Sequence, residues 1–266
     1  MMKLALDFTY PRLPKIFWFF LTFLLIGLLC WQMPASWLTK LLASQAGCRV
    51  LVQQALGTVW QGSAALGFSE SNEQGVCREP FALTERFSWS SSCSLNQLRC
   101  QSRIQFSALD QPLVITWSPT KIDVLANQIA LPTNVLEVLG NPWSTLRPRG
   151  QLLARWTDLR FRGIDLFSAH NTQSGSIRII INNLGSPISP VKPLGDYEIL
   201  ANVDNNVITW SLSTTSGPLL LKGNGDTKAG FHFIGQAGAT VEAQDSLIGL
   251  LGLLGKKEGE AYRIQF

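Results

Sequence analysis

Four cysteines that lie outside the long apolar run, Cys48, Cys77, Cys93 and Cys100, offer the most chemistry in this chain. Thiols can bind a soft metal, act as nucleophiles or pair as disulfides. A zinc site calls for Cys-x-x-Cys spacing or nearby histidines, and neither occurs here. Nucleophilic work needs a base beside the thiol, and no cysteine has a histidine placed next to it. Disulfide pairing is left. Cys93 and Cys100 flank Ser94-Leu95-Asn96-Gln97-Leu98-Arg99, a turn-like stretch between strand-like runs, so a Cys93–Cys100 hairpin staple is expected. Cys48–Cys77 is the default second pair. Cys30 lies within the apolar run and reads as a small apolar residue.

The other chemistry-bearing residues form no constellation. His170 sits in the loop-like Ser168-Ala169-His170-Asn171, and His232 falls between Phe231 and Phe233 on the polar side of a strand. Both read as solvated surface histidines. No Gly-x-Ser-x-Gly nucleophile elbow is present. The stretch Gly249 to Lys257 has some likeness to a phosphate-binding loop, but Leu250 stands where the first glycine is needed. Lys257 likewise stands where a Ser or Thr must hold magnesium. Carboxylates are few and scattered. No catalytic residue, cofactor or metal is expected, and an envelope hydrolase stays only in reserve.

The elements that position these residues begin with Ile16 to Met33, IFWFFLTFLLIGLLCWQM, 18 residues without a charge. As a helix it is roughly 27 Å long, near the hydrocarbon thickness of a bilayer. Trp18 and Trp31 lie near its ends, where indoles favour the interface. Lys3, Arg12 and Lys15 precede it against one acid, Asp7, so the tail is expected in the cytoplasm and Pro34 onward outside. A cleaved signal peptide has a shorter apolar core and a small-residue cleavage site, which Met33-Pro34-Ala35-Ser36 does not supply. The expectation is a cytoplasmic tail (1–15), an inner-membrane helix (16–33), a short amphipathic helix or linker (34–48) and a periplasmic domain (49–266). That compartment is oxidising, which is what makes the disulfides plausible.

Charged residues are 15% of the chain, below the roughly 25% of average soluble domains. A net charge of +4 with no basic run excludes a nucleic-acid role. Beyond residue 49 the apolar period is two: Arg103 to Ser107, Asp158 to Arg162, Ile177 to Ile179, Ile208 to Ser213 and Tyr262 to Phe266 all alternate. This predicts a mostly β fold, an antiparallel sheet domain, curved or a sandwich, with two or three short helices. One helix is expected from Asn134, whose spacing to Glu137 resembles a capping box, to Gly140. Another carries Leu247, Leu250, Leu251 and Leu254, with Lys256-Lys257 as its charged end. The Pro- and Gly-rich 184–195 is the best place for a division into two lobes. Trp60, Trp89 and Trp117 recur at similar spacing, a weak sign of a repeat.

Several motifs, in order, carry a resemblance. Leu56-Gly57-Thr58-Val59-Trp60-Gln61-Gly62 is followed by Phe87-Ser88-Trp89 and Arg149-Gly150-Gln151-Leu152. Then come Pro193-Leu194-Gly195-Asp196-Tyr197, the run from Ser216-Gly217-Pro218 to Gly223-Asn224-Gly225, and the Leu-rich helix ending at Gly255. Together they resemble the type II secretion system protein N family. Read physically, Gly57 and Gly62 bracket a turn anchored by Trp60, Trp89 lies on the next strand, and Gly195, Gly217, Pro218 and Gly223 are turn and strand residues.

The resemblance implies an accessory, non-enzymatic inner-membrane component of the machinery that exports folded proteins from the periplasm. Its partners would be other type II secretion inner-membrane or periplasmic subunits. It implies no catalytic residue. An alternative is a periplasmic carrier of lipid or another apolar ligand, of AsmA-like plan. In that case Ile104, Phe106, Ile177, Ile179, Trp210 and Leu212 would line an open groove. A closed sandwich would favour the scaffold, an open trough the carrier.

Overall fold

The computed structural model describes residues 15–37, 50–68, 82–140, 143–162, 172–204, 206–228, 230, 232–259 and 261–265. Helix α1 (Lys15–Trp31) leads in. The strands that follow are β1 (Val50–Gly57), β2 (Gln61–Phe68), β3 (Ala82–Ser94), β4 (Arg99–Gln105), β5 (Leu113–Trp117), β6 (Lys121–Val124) and β7 (Asn127–Pro132). A 3-10 helix (Thr133–Leu139) and the single turn α2 (Trp143–Leu146) come next, then β8 (Arg149–Trp156), β9 (Leu159–Arg162) and β10 (Thr172–Gly185). The C-terminal region holds β11 (Gly195–Asp204), β12 (Val207–Ser216), β13 (Leu219–Asp226), β14 (His232–Ala239), α3 (Gln244–Leu254), β15 (Lys256–Glu258) and β16 (Ala261–Gln265).

Among the described residues these sixteen strands form one sheet with antiparallel neighbours, open at β1 and at β15. The alternation sends one side of every strand to a common face. A single row crosses seven strands: Ala154, Ile179, Ile199, Leu212, Gly223, Gly235 and Ile264 lie opposite one another in turn. The residues between them, such as Arg178 and Glu198, point to the other face and form an ion pair there. Helix α3 lies over the apolar face, burying Leu247, Leu250 and Leu251 against Ile181, Tyr197, Leu219 and Tyr262. A smaller cluster buries Ala35, Ala64 and Trp89, with Phe87 and Ile104 packed against it.

Five expectations change. The first concerns α1, which stops at Trp31 rather than Met33, a length of roughly 26 Å. Among the described residues no helix is long and apolar enough to cross a membrane. The expected capping box does not form. The 3-10 helix starts at Thr133 with Pro132 before it, which puts Asn134 inside the first turn, and Asn134 Oδ1 is buried without a partner. Gly140 does end that helix.

The Lys256-Lys257 pair is not a helix end. Gly255 leaves α3 in an extended conformation, and the lysines pair in register with Arg263 and Tyr262 of β16, because the chain folds straight back as a hairpin. Nor does 184–195 divide two lobes. It connects β10 to β11, which pair with each other, and Ser186, Ser189 and Leu194 are buried within it. Leu152 and Ile181 before it share one cluster with Tyr197 and Leu219 after it. Trp60, Trp89 and Trp117 occupy a turn, β3 and β5, so no repeated unit underlies their spacing. The short helix expected after Pro34 begins at 35–37, and its remainder lies outside the described residues.

Candidate functional site

The residues singled out in the sequence gather in two places along the sheet. At the N-terminal end, Gly62 lies directly opposite Trp89. A Cβ on Gly62 would sit 2.5 Å from Trp89 Cζ2, so the indole fills the space that a side chain would take. Trp89 is buried, and its Nε1–H donates to the Val59 carbonyl at 3.0 Å. The Val59 N–H in turn donates to the Met33 carbonyl at 2.9 Å, tying the turn to the chain leaving α1. Gly57 holds φ +92° at that turn, a backbone region that other residues resist. Trp60 is half-buried between the strands, and its carbonyl accepts the Ser91 N–H at 2.7 Å.

The second place joins β11 to the turn before β13. Gly217 has φ +111°, and a Cβ there would lie 2.3 Å from Gly195 Cα. The two backbones therefore touch. Leu219 N–H donates to the Leu194 carbonyl at 2.9 Å, and the Pro218 carbonyl accepts the Thr240 N–H at 2.9 Å. The Tyr197 hydroxyl stands between the carbonyls of Leu194 (3.2 Å) and Leu219 (3.0 Å). Burial, and then the neighbouring Asp196 carboxylate, push that phenol far above its usual value. Asp196 itself accepts the Asn183 N–H at 2.6 Å and the Ser216 hydroxyl at 2.7 Å, and these bonds hold its carboxyl below the ordinary range. Gly223 and Gly235 face each other beneath the Phe233 ring.

The chemistry on offer is sparse. Cys93 and Cys100 are bonded as a disulfide across the β3–β4 hairpin, in direct register, as their spacing predicts. Cys48, Cys77 and His170 lie outside the described residues. His232 is exposed on the polar face of β14. Among the described residues no group of three or more His, Cys, Asp or Glu could hold a metal ion. In the sequence Tyr197 stands out only as the last residue of a motif and Phe233 only as a neighbour of His232, without a packing role, and Gly235 does not stand out. Only cross-strand register reveals that a ring rests on a glycine or that a hydroxyl bridges two turns.

Beyond α3 the apolar face is less covered. Ile104, Ile115 and Phe161 are half-buried, and Trp117 is exposed. The arrangement is a one-layer, antiparallel β platform with two glycine-rich knots. A family model described as type II secretion system (T2SS), protein N matches residues 49–265. The chain belongs to this family. The match runs from just before β1 to the end of β16, so the protein N region comprises the whole sheet, and both knots lie inside it. No curated protein and no solved structure matches the chain.

Substituting Gly217→Ala forces a Cβ into Gly195 and strains the backbone. Denaturant unfolding should show a loss of about 2 kcal/mol or more. Asp196 gives a pH dependence of definite sign. Its lowered folded value stabilises the fold above 3.8, its ordinary value, and the effect fades as pH falls through the folded value. The difference in unfolding free energy between the parent and Asp196→Asn should therefore be present at neutral pH and shrink in acid. A difference that grew in acid would contradict this.

Proposed function

We propose that this protein is an accessory inner-membrane component of the type II secretion system, acting by contact rather than catalysis while folded proteins leave the periplasm. The observation that carries the reading is the family match, which is coextensive with the sheet. The uncharged run 16–33, most of which α1 forms, is the proposed anchor, N-terminus in the cytoplasm and sheet in the periplasm. Two observations support this: the side chains of α1 are exposed along its whole described length, with Phe19, Phe23 and Trp31 each more than 70% exposed, and basic residues precede it. A disulfide at Cys93–Cys100 suits an oxidising compartment. The partners are other inner-membrane or periplasmic secretion subunits. After crosslinking in cells that express the apparatus, a tagged copy should bring down other secretion subunits from the membrane fraction. Their absence from the eluate, with the subunits expressed, would count decisively against the role.

A second reading draws on the open sheet. The apolar face that α3 covers over β10–β16 continues across β2–β6 with half-buried side chains, as a carrier of apolar ligands would need. Mass spectrometry of gently purified protein should then detect co-purifying phospholipid, and a lipid-free spectrum would remove this reading.

A further inference from the structure

The face of the sheet opposite α3 is not uniformly polar. Over β11–β14 it holds a groove of about 590 Å³ built from two adjacent rows. In the first, Asn202, Thr209, Asp226 and His232 lie directly opposite one another across four strands. In the second, Leu200, Ser211, Asn224 and Ile234 do the same. Three strand spacings give a width of roughly 14 Å, room for a chain of linked units rather than one small molecule.

The groove differs from its surroundings in charge. Elsewhere this face is crossed by ion pairs and charged side chains, Arg178 with Glu198 among them, and Lys222 stands in the next row. Among the described residues that line the groove there is no lysine or arginine to hold a phosphate. Asp226 and His232 are too few to hold a metal ion. Asn202, Ser211, Asn224 and His232 make no side-chain hydrogen bond to a described residue, so amides, a hydroxyl and an imidazole face outward unengaged. Asp226 uses one oxygen on the Lys228 N–H at 2.9 Å. Beside these polar groups Leu200 and Ile234 are 41% and 43% exposed.

A neutral ligand dense in hydroxyls and amides, carrying small apolar groups, matches that lining. We propose that the groove binds a glycan strand bearing N-acetyl groups. Its amides and hydroxyls engage the asparagines, Ser211 and Asp226, and its methyl groups lie on Leu200 and Ile234. The proposal goes beyond the secretion role and does not depend on it.

The full chain in detergent is titrated calorimetrically with a β-1,4-linked N-acetylglucosamine tetrasaccharide. Saturable binding is expected, weakened about tenfold or more in an Asn202→Ala, Asn224→Ala double variant. A Gln151→Ala variant, changed on the same face but in β8, should bind as the parent does. Both asparagines are exposed, so the double variant should keep the parent's unfolding transition. The proposal is overturned by any of four results: no binding of the tetrasaccharide, an equal loss in Gln151→Ala, equal binding of the deacetylated sugar, or tighter binding of an uncharged extended peptide. The last result would assign the groove to a protein segment.

Discussion

A sheet one layer thick has an apolar face that must leave water, and in this chain the rest of the architecture answers to that need. Alternation puts Ile179, Ile199, Leu212 and Ile264 in one row, and without a cover the row would stand in solvent. Helix α3 supplies the cover. Its Leu247 is fully buried, and the leucines at 250 and 251 close over Tyr197, Leu219 and Tyr262. The hairpin of β15 and β16 returns directly from its end, so the lid and the last strands are fastened together. Toward β1 the cover thins to the small cluster around Trp89 and Ala64, and the apolar side chains remain half in water.

Glycine and aromatic residues make the platform possible. Where a ring fills the space beside the backbone, the residue it meets has no side chain: Trp89 at Gly62, Phe233 at Gly223 and Gly235, Trp210 at Gly225. Each pair lets a large apolar surface approach the backbone closely, which is how a thin structure gains buried area. The Gly195–Gly217 contact serves a different end, bringing two turns close enough for Tyr197 to hold both. The motifs that mark the protein N family are therefore packing devices.

The surfaces of the sheet are of two kinds. The apolar face is continuous and incompletely covered, while the opposite face carries ion pairs except in the groove over β11–β14, whose described lining holds no lysine or arginine.

Much of this was legible from residue order. Period-two alternation set out the strands, the spacing of Leu247, Leu250, Leu251 and Leu254 set out α3, and the sequence separation of 7 between Cys93 and Cys100 set out the staple. These are local patterns, fixed by the geometry of one strand, one helix or one hairpin. The ordered motifs also identified the family. What residue order alone did not decide depended on neighbours distant in sequence. Pairing with β16 drew Lys256 and Lys257 into a strand, and the strand before Thr133 displaced the expected cap at Asn134. Cross-strand register chose which glycine lies beneath which ring, and it assembled two rows of polar residues into a groove. Register and cover arise from contacts that form only when the whole sheet is in place, so tertiary structure alone decided them.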